Sequence, residues 1–144
     1  MSIIARSALD LGAPEAYQAA LTDFIVEGHF ARHLRRMRLL YGTRRNALVE
    51  SLHQELGSML EVVGGKAGMH LAVLLPKGFR DEGIAEQAAL QKLWLWPLSP
   101  SYLGESPSQG FILGFAGTQA QEMAPAVQKL GAVLKARRIF PGAV

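Results

Sequence analysis

The sequence predicts an α/β (α+β layer) domain in which a small mixed or antiparallel sheet of about four strands is packed by helices, with a long helix near the N-terminus. Three observations predict this fold. Apolar residues recur at helical spacing before residue 57, short β-type runs follow, and a last helical pattern closes the chain. The 144 residues suit a single domain, and 49% apolar with 19% charged residues is typical of a folded globule.

The N-terminal part is predicted to be helical. Residues 1–13 show no clear period, and we expect them to form an N-terminal extension. Pro14 is suited to the first turn of a helix that runs to about Glu27. From Phe30 to Leu52, apolar residues recur at steps of four, three, four, seven and four, which places them on one helical face. A long amphipathic helix should therefore follow, ending near residue 57.

The middle of the chain is predicted to form a hairpin and a short helix. Two apolar runs, residues 59–63 and 69–75, flank the glycine-rich segment GGKAG and indicate two strands joined by a turn. Asp81 is expected to cap a helix that ends near Lys92, because aspartate oxygens accept hydrogen bonds from the first N–H groups of a helix.

The last part is predicted to form two strands and a helix. The strands are expected over residues 93–97 and 111–116, on either side of a Ser-, Pro- and Gly-rich loop. Thr118 is expected to cap the final helix. The apolar residues that share one face of this helix are Met123, Val127, Leu130, Val133 and Leu134.

The composition excludes several classes of function. The chain has no cysteine, which excludes disulfides, thiolate catalysis, zinc fingers and iron–sulfur clusters. Its apolar runs are far shorter than the roughly 20 residues of a membrane span. The first residues lack the apolar segment of a secretory signal. We therefore expect a cytoplasmic protein that does not contact membranes.

Positive charge is concentrated in one stretch. Residues 28–52 carry six arginines and one acidic residue, whereas the rest of the chain has nine basic and eleven acidic residues. Four of these arginines cover most of the predicted helix opposite its apolar side, and they are Arg32, Arg35, Arg36 and Arg38. Such a basic surface is either a solvated or interdomain helix face or a contact for nucleic-acid phosphates, and the sequence leaves both open.

Local motifs for metal or phosphate binding are incomplete. His29 and His33 have the i, i+4 spacing of metal ligands, but Phe30 stands where a metalloprotease has glutamate. The segment GGKAG around Lys66 lacks the glycine spacing and the Ser or Thr of a phosphate loop. No nucleophile elbow or dinucleotide fingerprint occurs. These patterns predict no metal site and no catalytic residue.

Four segments carry a resemblance to a known family. They are DFIVEGHFARHLRRMRLLYGTRRNALVESL at residues 23–52, GMHLAVLLP at 68–76, LWLWPLSPSY at 93–102 and FILGFAG at 111–117. Together they resemble the C-terminal small-domain part of the fold-type I aminotransferase-like domain of MocR-type (GntR-family) transcriptional regulators.

The resemblance implies what residues 14–144 are and what they lack. They are expected to have the fold of the small domain of fold-type I pyridoxal phosphate-dependent transferases. Members of the family also have an N-terminal DNA-binding domain and a large domain with the cofactor lysine, for which this chain is too short. The resemblance thus implies no cofactor in this chain alone and DNA contact only through the absent domain. The lysines, which lie outside the Schiff-base context, are expected at the surface: Lys66, Lys77, Lys92, Lys129 and Lys135.

The resemblance also indicates where a ligand would bind. Many fold-type I aminotransferases hold the substrate carboxylate with an arginine in the strand before the last helix, and the matching position here is Ile112. An apolar residue cannot bind a carboxylate in this way. The matching segments place His70 and Tyr102 as candidates for the border of a ligand pocket, although ordinary packing of both side chains also fits the sequence.

Three functions remain open at this point. The first is a regulatory, effector-binding part of an aminotransferase-like module, which works as a homo-oligomer or with a missing large domain. The second is the small-domain piece of a pyridoxal phosphate-dependent aminotransferase that another chain completes. The third is a small basic nucleic-acid-binding protein.

Overall fold

The computed structural model describes residues 14–65, 68–104 and 108–139, and within them the helices and strands follow the predicted order. The predicted N-terminal extension, residues 1–13, lies outside the described residues. No described helix has the length and apolar character needed to cross a membrane. The helices are α1 (Glu15–Val26), α2 (His29–Leu56), α3 (Asp81–Leu90) and α4 (Ala120–Ile139), and the strands are β1 (Glu61–Val63), β2 (His70–Leu74), β3 (Trp96–Pro97) and β4 (Gly110–Gly114).

The chain divides into two compact units, Met1–Leu39 and Leu40–Val144, and helix α2 runs through the boundary. In the first unit, Gly28 has a positive φ of 77°, which allows the chain to turn between α1 and α2. The ring of Phe24 on α1 lies 6.2 Å from that of Phe30 on α2. No residue of α1 is buried, so this unit has no enclosed core of its own among its described residues.

The second unit contains one sheet with the strand order β1-β2-β4-β3, and all three pairings are antiparallel. The predicted hairpin is present as the β1–β2 pair. Alternate residues of β2 point to opposite faces, so Leu71 and Val73 are buried on the inner face. Val73 pairs with Phe111, which is also fully buried. This inner face supplies the sheet's part of the core.

Helices α2, α3 and α4 complete the core over the inner face of the sheet. The predicted apolar face of α4 is buried in full, as are the C-terminal part of the α2 face and Ile84 and Ala88 of α3. The buried core residues from the helices are Leu48, Leu52, Leu56, Ile84, Ala88, Met123, Val127, Leu130, Val133 and Leu134. Their burial confirms the predicted layer of helices on a small sheet.

Two predicted boundaries are wrong for local reasons. Strand β3 covers only Trp96–Pro97 instead of residues 93–97, because the N–H of Leu93 donates to the carbonyl of Ala88 at the end of α3. Helix α4 begins at Ala120, so Thr118 lies too early to cap it.

Asp81 is not the simple helix cap that the sequence suggested. It is the first residue of α3, and its fully buried carboxylate accepts hydrogen bonds from the N–H groups of Glu82, Leu98, Ser99 and Gly110 and from the Ser99 hydroxyl, at 2.6–3.1 Å. Burial raises the pKa of this carboxyl, but the hydrogen bonds from the Ser99 side chain and from backbone N–H groups outweigh it. The pKa of Asp81 therefore lies below its ordinary value of 3.8.

Replacing the Asp81 carboxylate by an amide should destabilise the fold. In Asp81→Asn one oxygen becomes an NH₂ group that faces N–H donors, so we expect the free energy of unfolding at neutral pH to fall by about 3 kcal/mol. Because the folded pKa is lowered, the carboxylate's contribution is present above pH 3.8 and is lost as the pH falls below it. The difference between the two proteins should therefore shrink in acid.

Urea unfolding at a series of pH values measures this difference. Glu86→Gln is the matched control, because Glu86 is exposed on the same helix. A pH-independent difference between Asp81→Asn and the unmodified chain would contradict the assignment.

Candidate ligand groove

The outer face of the sheet forms a groove. Residues directly opposite on paired strands point to the same face, and the register sets His70 opposite Gly114 and Trp96 opposite Ile112. The groove has a volume of about 530 Å³, which lies in the range of small-molecule sites. The residues that line it are His70, Trp94, Leu95, Trp96, Ile112 and Gly114.

The end of α3 directs the chain into one wall of the groove. Lys92 adopts a left-handed conformation, with φ of 58°, and its N–H donates to the carbonyl of Ala89. With the bond from Leu93 to Ala88, this closes the helix in a Schellman motif. The chain then runs through Trp94 into the edge strand β3.

Asp81 fixes the other end of this wall. Its carboxylate binds the N–H groups of Leu98 and Ser99, directly after β3, and that of Gly110 at the start of β4. Gly110 cannot be replaced without movement, because a Cβ atom there would overlap the carbonyl oxygen of Val73. The strand that carries Trp96 is therefore held in register against the centre of the sheet.

His70 lies across Gly114 at one end of the groove. A Cβ atom on Gly114 would be only 3.2 Å from Cδ2 and 3.4 Å from Nε2 of His70, so glycine leaves room for the imidazole ring. The His70 side chain is exposed and makes no hydrogen bond to any residue in the described part of the chain. Its ring nitrogens are thus available to a ligand.

The remaining lining is apolar and uncharged. Trp94 and Trp96 are 85% and 69% exposed, so their indole faces are open to solvent. Ile112 is half-buried between them and His70, at the position where the resemblance placed a carboxylate-binding arginine in relatives. Among the residues that the structure describes, no lysine or arginine lines the groove. The site can hold an apolar or aromatic group and offer it one imidazole hydrogen bond.

The other residues predicted for a site lie elsewhere. Tyr102 is partly exposed after a short 3₁₀ turn and does not line the groove, so the structure does not bring it together with His70. The four predicted basic-surface residues belong to the other compact unit and are all exposed: Arg32, Arg35, Arg36 and Arg38.

The described residues of the groove do not fit pyridoxal phosphate held through a lysine. The lysines with described side chains are exposed as predicted, and none of them lines the groove: Lys77, Lys92, Lys129 and Lys135. Lys66 lies outside the described residues. Within the ranges that the structure describes, no three His, Asp or Glu side chains cluster as metal ligands.

Sequence reasoning missed Trp94, Trp96 and Asp81 as the residues that build the site. The signal for the tryptophans was the W-x-W spacing, which places two aromatic residues on one face of an extended segment. Their exposure was not predictable, because an apolar strand residue is more often buried.

No model of a known protein family matches this chain. The chain is 39% identical over 113 residues to the probable rhizopine catabolism regulatory protein MocR of Rhizobium meliloti, covering 78% of this chain and 23% of that protein. It is 34% identical, also over 113 residues, to the uncharacterized HTH-type transcriptional regulator YhdI of Bacillus subtilis, covering 78% of this chain and 24% of the relative. The chain thus spans about a quarter of the length of these regulators.

Solved aminotransferases share the fold. The α-aminoadipate aminotransferase LysN of Thermus thermophilus, solved with N-(5′-phosphopyridoxyl)-L-leucine, matches 94% of this chain and 35% of its own with a TM-score of 0.79 and 26% identity. The multiple substrate aminotransferase of Thermococcus profundus matches with a TM-score of 0.83 at 21% identity, over 94% of this chain and 34% of its own. The fold is that of the small-domain region of fold-type I aminotransferases. About four fifths of the chain is homologous to part of MocR-type transcriptional regulators.

The exposure of the groove predicts the fluorescence of the protein. Its two tryptophans are Trp94 and Trp96, so all tryptophan emission reports on the groove. We expect emission at the wavelength of water-exposed indole and full quenching by acrylamide, because both side chains are mostly exposed.

Trp94→Phe and Trp96→Phe separate the two signals. A blue-shifted fraction that resists acrylamide would contradict an open groove, and its growth with protein concentration would show that copies of the chain cover this face.

Proposed function

We propose that this chain is the small-domain part of an aminotransferase-like effector-binding module of a MocR-type regulator, and that its groove forms one wall of the effector pocket. The module works as a homo-oligomer or together with a large domain. The groove on the outer face of the sheet carries the proposal, because it combines an unpaired imidazole with two open indole faces. The identity of 30% or more to three regulators supports a regulatory role.

Each lining residue has a separate task in this proposal. His70 forms one hydrogen bond to a polar group of the effector. Trp94 and Trp96 cover an apolar or aromatic part of the effector and exclude water from it. Ile112 replaces a cation at the base of the groove, so a carboxylate placed there would lose its hydration without gaining a partner. The chain therefore selects for a neutral group at this wall.

Benzamide and benzoate form a matched pair of probes, since they have the same ring and differ in charge. We expect benzamide to change the tryptophan fluorescence of the whole chain saturably and benzoate to bind about tenfold more weakly, because its carboxylate loses hydration against Ile112 and no described lysine or arginine of the lining pairs with it. Ile112→Arg should reverse the order, since a guanidinium pairs with a carboxylate.

Ile112→Leu is the conservative control and should keep the preference for benzamide. Circular dichroism of each variant verifies that the sheet is intact. Equal affinity of the unmodified chain for both probes would refute the selectivity. Failure of both probes to bind at millimolar concentration would refute the groove as a ligand wall.

One observation favours an alternative function, a piece of an aminotransferase that another chain completes. The chain is 27% identical over 131 residues to the 2-aminoadipate transaminase of Thermus thermophilus, which extends the match to 91% of this chain. In both functions we propose that the chain alone does not hold pyridoxal phosphate, because no described lysine lines the groove.

Titration with micromolar pyridoxal phosphate, followed by borohydride reduction, tests this part of the proposal. We expect no saturable imine absorbance and only scattered labelling of exposed lysines. A one-to-one adduct on a single lysine would overturn it. Transaminase activity on adding a separately expressed cofactor-binding domain would favour the enzymatic alternative over the regulatory function.

A further inference from the structure

The basic stretch of the sequence separates into two groups of arginines with different surroundings. Arg44 and Arg45 are partly buried in the second compact unit. Arg44 donates to the carbonyl of Ala116, and the Arg45 guanidinium lies against Gly65. These two arginines are structural, because their side chains are used to pack α2 against the strand and loop segments.

The other group forms an unpaired cationic surface on the first part of α2. Arg32, Arg35, Arg36 and Arg38 are all exposed, and none forms an ion pair with a carboxylate in the described part of the chain. At 3.6 residues per turn they occupy an arc of about 160°. We call these four residues the arginine face.

The opposite side of this helix is apolar and is only partly covered within the same unit, because Phe30 and Leu34 remain 43% and 37% exposed. Phe30 and Leu34 lie on that side, and the ring of Phe24 from α1 lies 6.2 Å from that of Phe30. A helix that binds a membrane inserts its apolar side into the lipid. The arginine face lies on the other side of the helix, and its exposed guanidinium groups are the part of α2 that is complementary to an anionic partner.

We propose that the arginine face binds the phosphate backbone of duplex DNA. Four guanidinium groups without carboxylate partners are complementary to a polyanion, and each can bind a phosphate through two N–H donors. From Arg32 to Arg38 the helix rises about 9 Å, over which duplex DNA presents about five phosphate charges. Two relatives of this segment, YhdI and YdeL, are described by their names as HTH-type transcriptional regulators, which favours DNA over other polyanions.

The contact is independent of sequence and independent of the ligand groove. We assign the four arginines to phosphate contacts, which position a protein on the duplex and carry no sequence information. It would position duplex DNA beside the module and add affinity to a separate sequence-reading domain. Its failure would leave the effector-binding proposal unchanged, because the groove belongs to the other compact unit.

The salt dependence of binding tests the proposal on the full chain. With four phosphate contacts, the affinity for a short fluorescein-labelled duplex of arbitrary sequence should fall about 150-fold when the salt concentration is raised fourfold. In the double variant Arg35→Gln/Arg36→Gln, the same change in salt should lower the affinity only about 12-fold, because two contacts are lost. Fluorescence anisotropy measures both.

Lys77→Gln/Lys129→Gln is the matched control, since it removes the same charge from two exposed lysines of the other unit. We expect it to bind DNA like the unmodified chain, and we expect the helical circular dichroism of both double variants to be unchanged. No binding at low salt, or an equal loss in the lysine control, would overturn the proposal. Equal or tighter binding to phosphatidylserine vesicles or to duplex RNA, with the same dependence on Arg35 and Arg36, would also overturn the assignment to DNA.

Discussion

The buried carboxylate of Asp81 is the interaction on which the arrangement of the second compact unit depends. It joins the first turn of α3 to the chain after β3 and to the first residue of β4, which are far apart in sequence. Hydrogen bonds from the Ser99 hydroxyl and from the backbone N–H groups of Gly110, Ser99 and Glu82 outweigh the unfavourable burial of the charge, so the pKa stays below its ordinary value although no described lysine or arginine pairs with the carboxylate. The same bonds satisfy backbone N–H groups that would otherwise be buried without acceptors.

The open groove follows from this constraint. An edge strand of two residues is too short to hold its register by ladder hydrogen bonds alone, and Pro97 contributes no N–H to the ladder. Asp81 anchors the chain after β3, and the Schellman motif at the end of α3 fixes the chain before Trp94. Trp94 and Trp96 are therefore held on the outer face of the sheet. Two neighbouring exposed tryptophan side chains are typical of a surface that binds a ligand or another part of a protein.

Much of the fold was predictable from the sequence because its elements have strong periodic patterns. The faces of α2 and α4 and the hairpin were predicted, since apolar spacing reports directly on which side of an element is buried. The short β3 was not, because the hydrogen bond between Leu93 and Ala88 depends on how α3 ends. Among site residues, His70 was predicted from resemblance. Trp96 was identified only when the register placed it opposite Ile112 on the same face as His70, and Trp94 only when the structure showed it lining the same groove.

The sequence by itself determined the fold class, the order of the elements and the concentration of positive charge in one stretch, because these depend on local periodicity and composition. Only the tertiary structure decided which arginines pack and which remain exposed, since Arg38 and Arg44 lie on the same helix and differ in what lies beside them. It also decided that Asp81 is a buried acceptor for distant N–H groups. Long-range packing brings those donors to the carboxylate, and no local sequence pattern indicates that they will meet there.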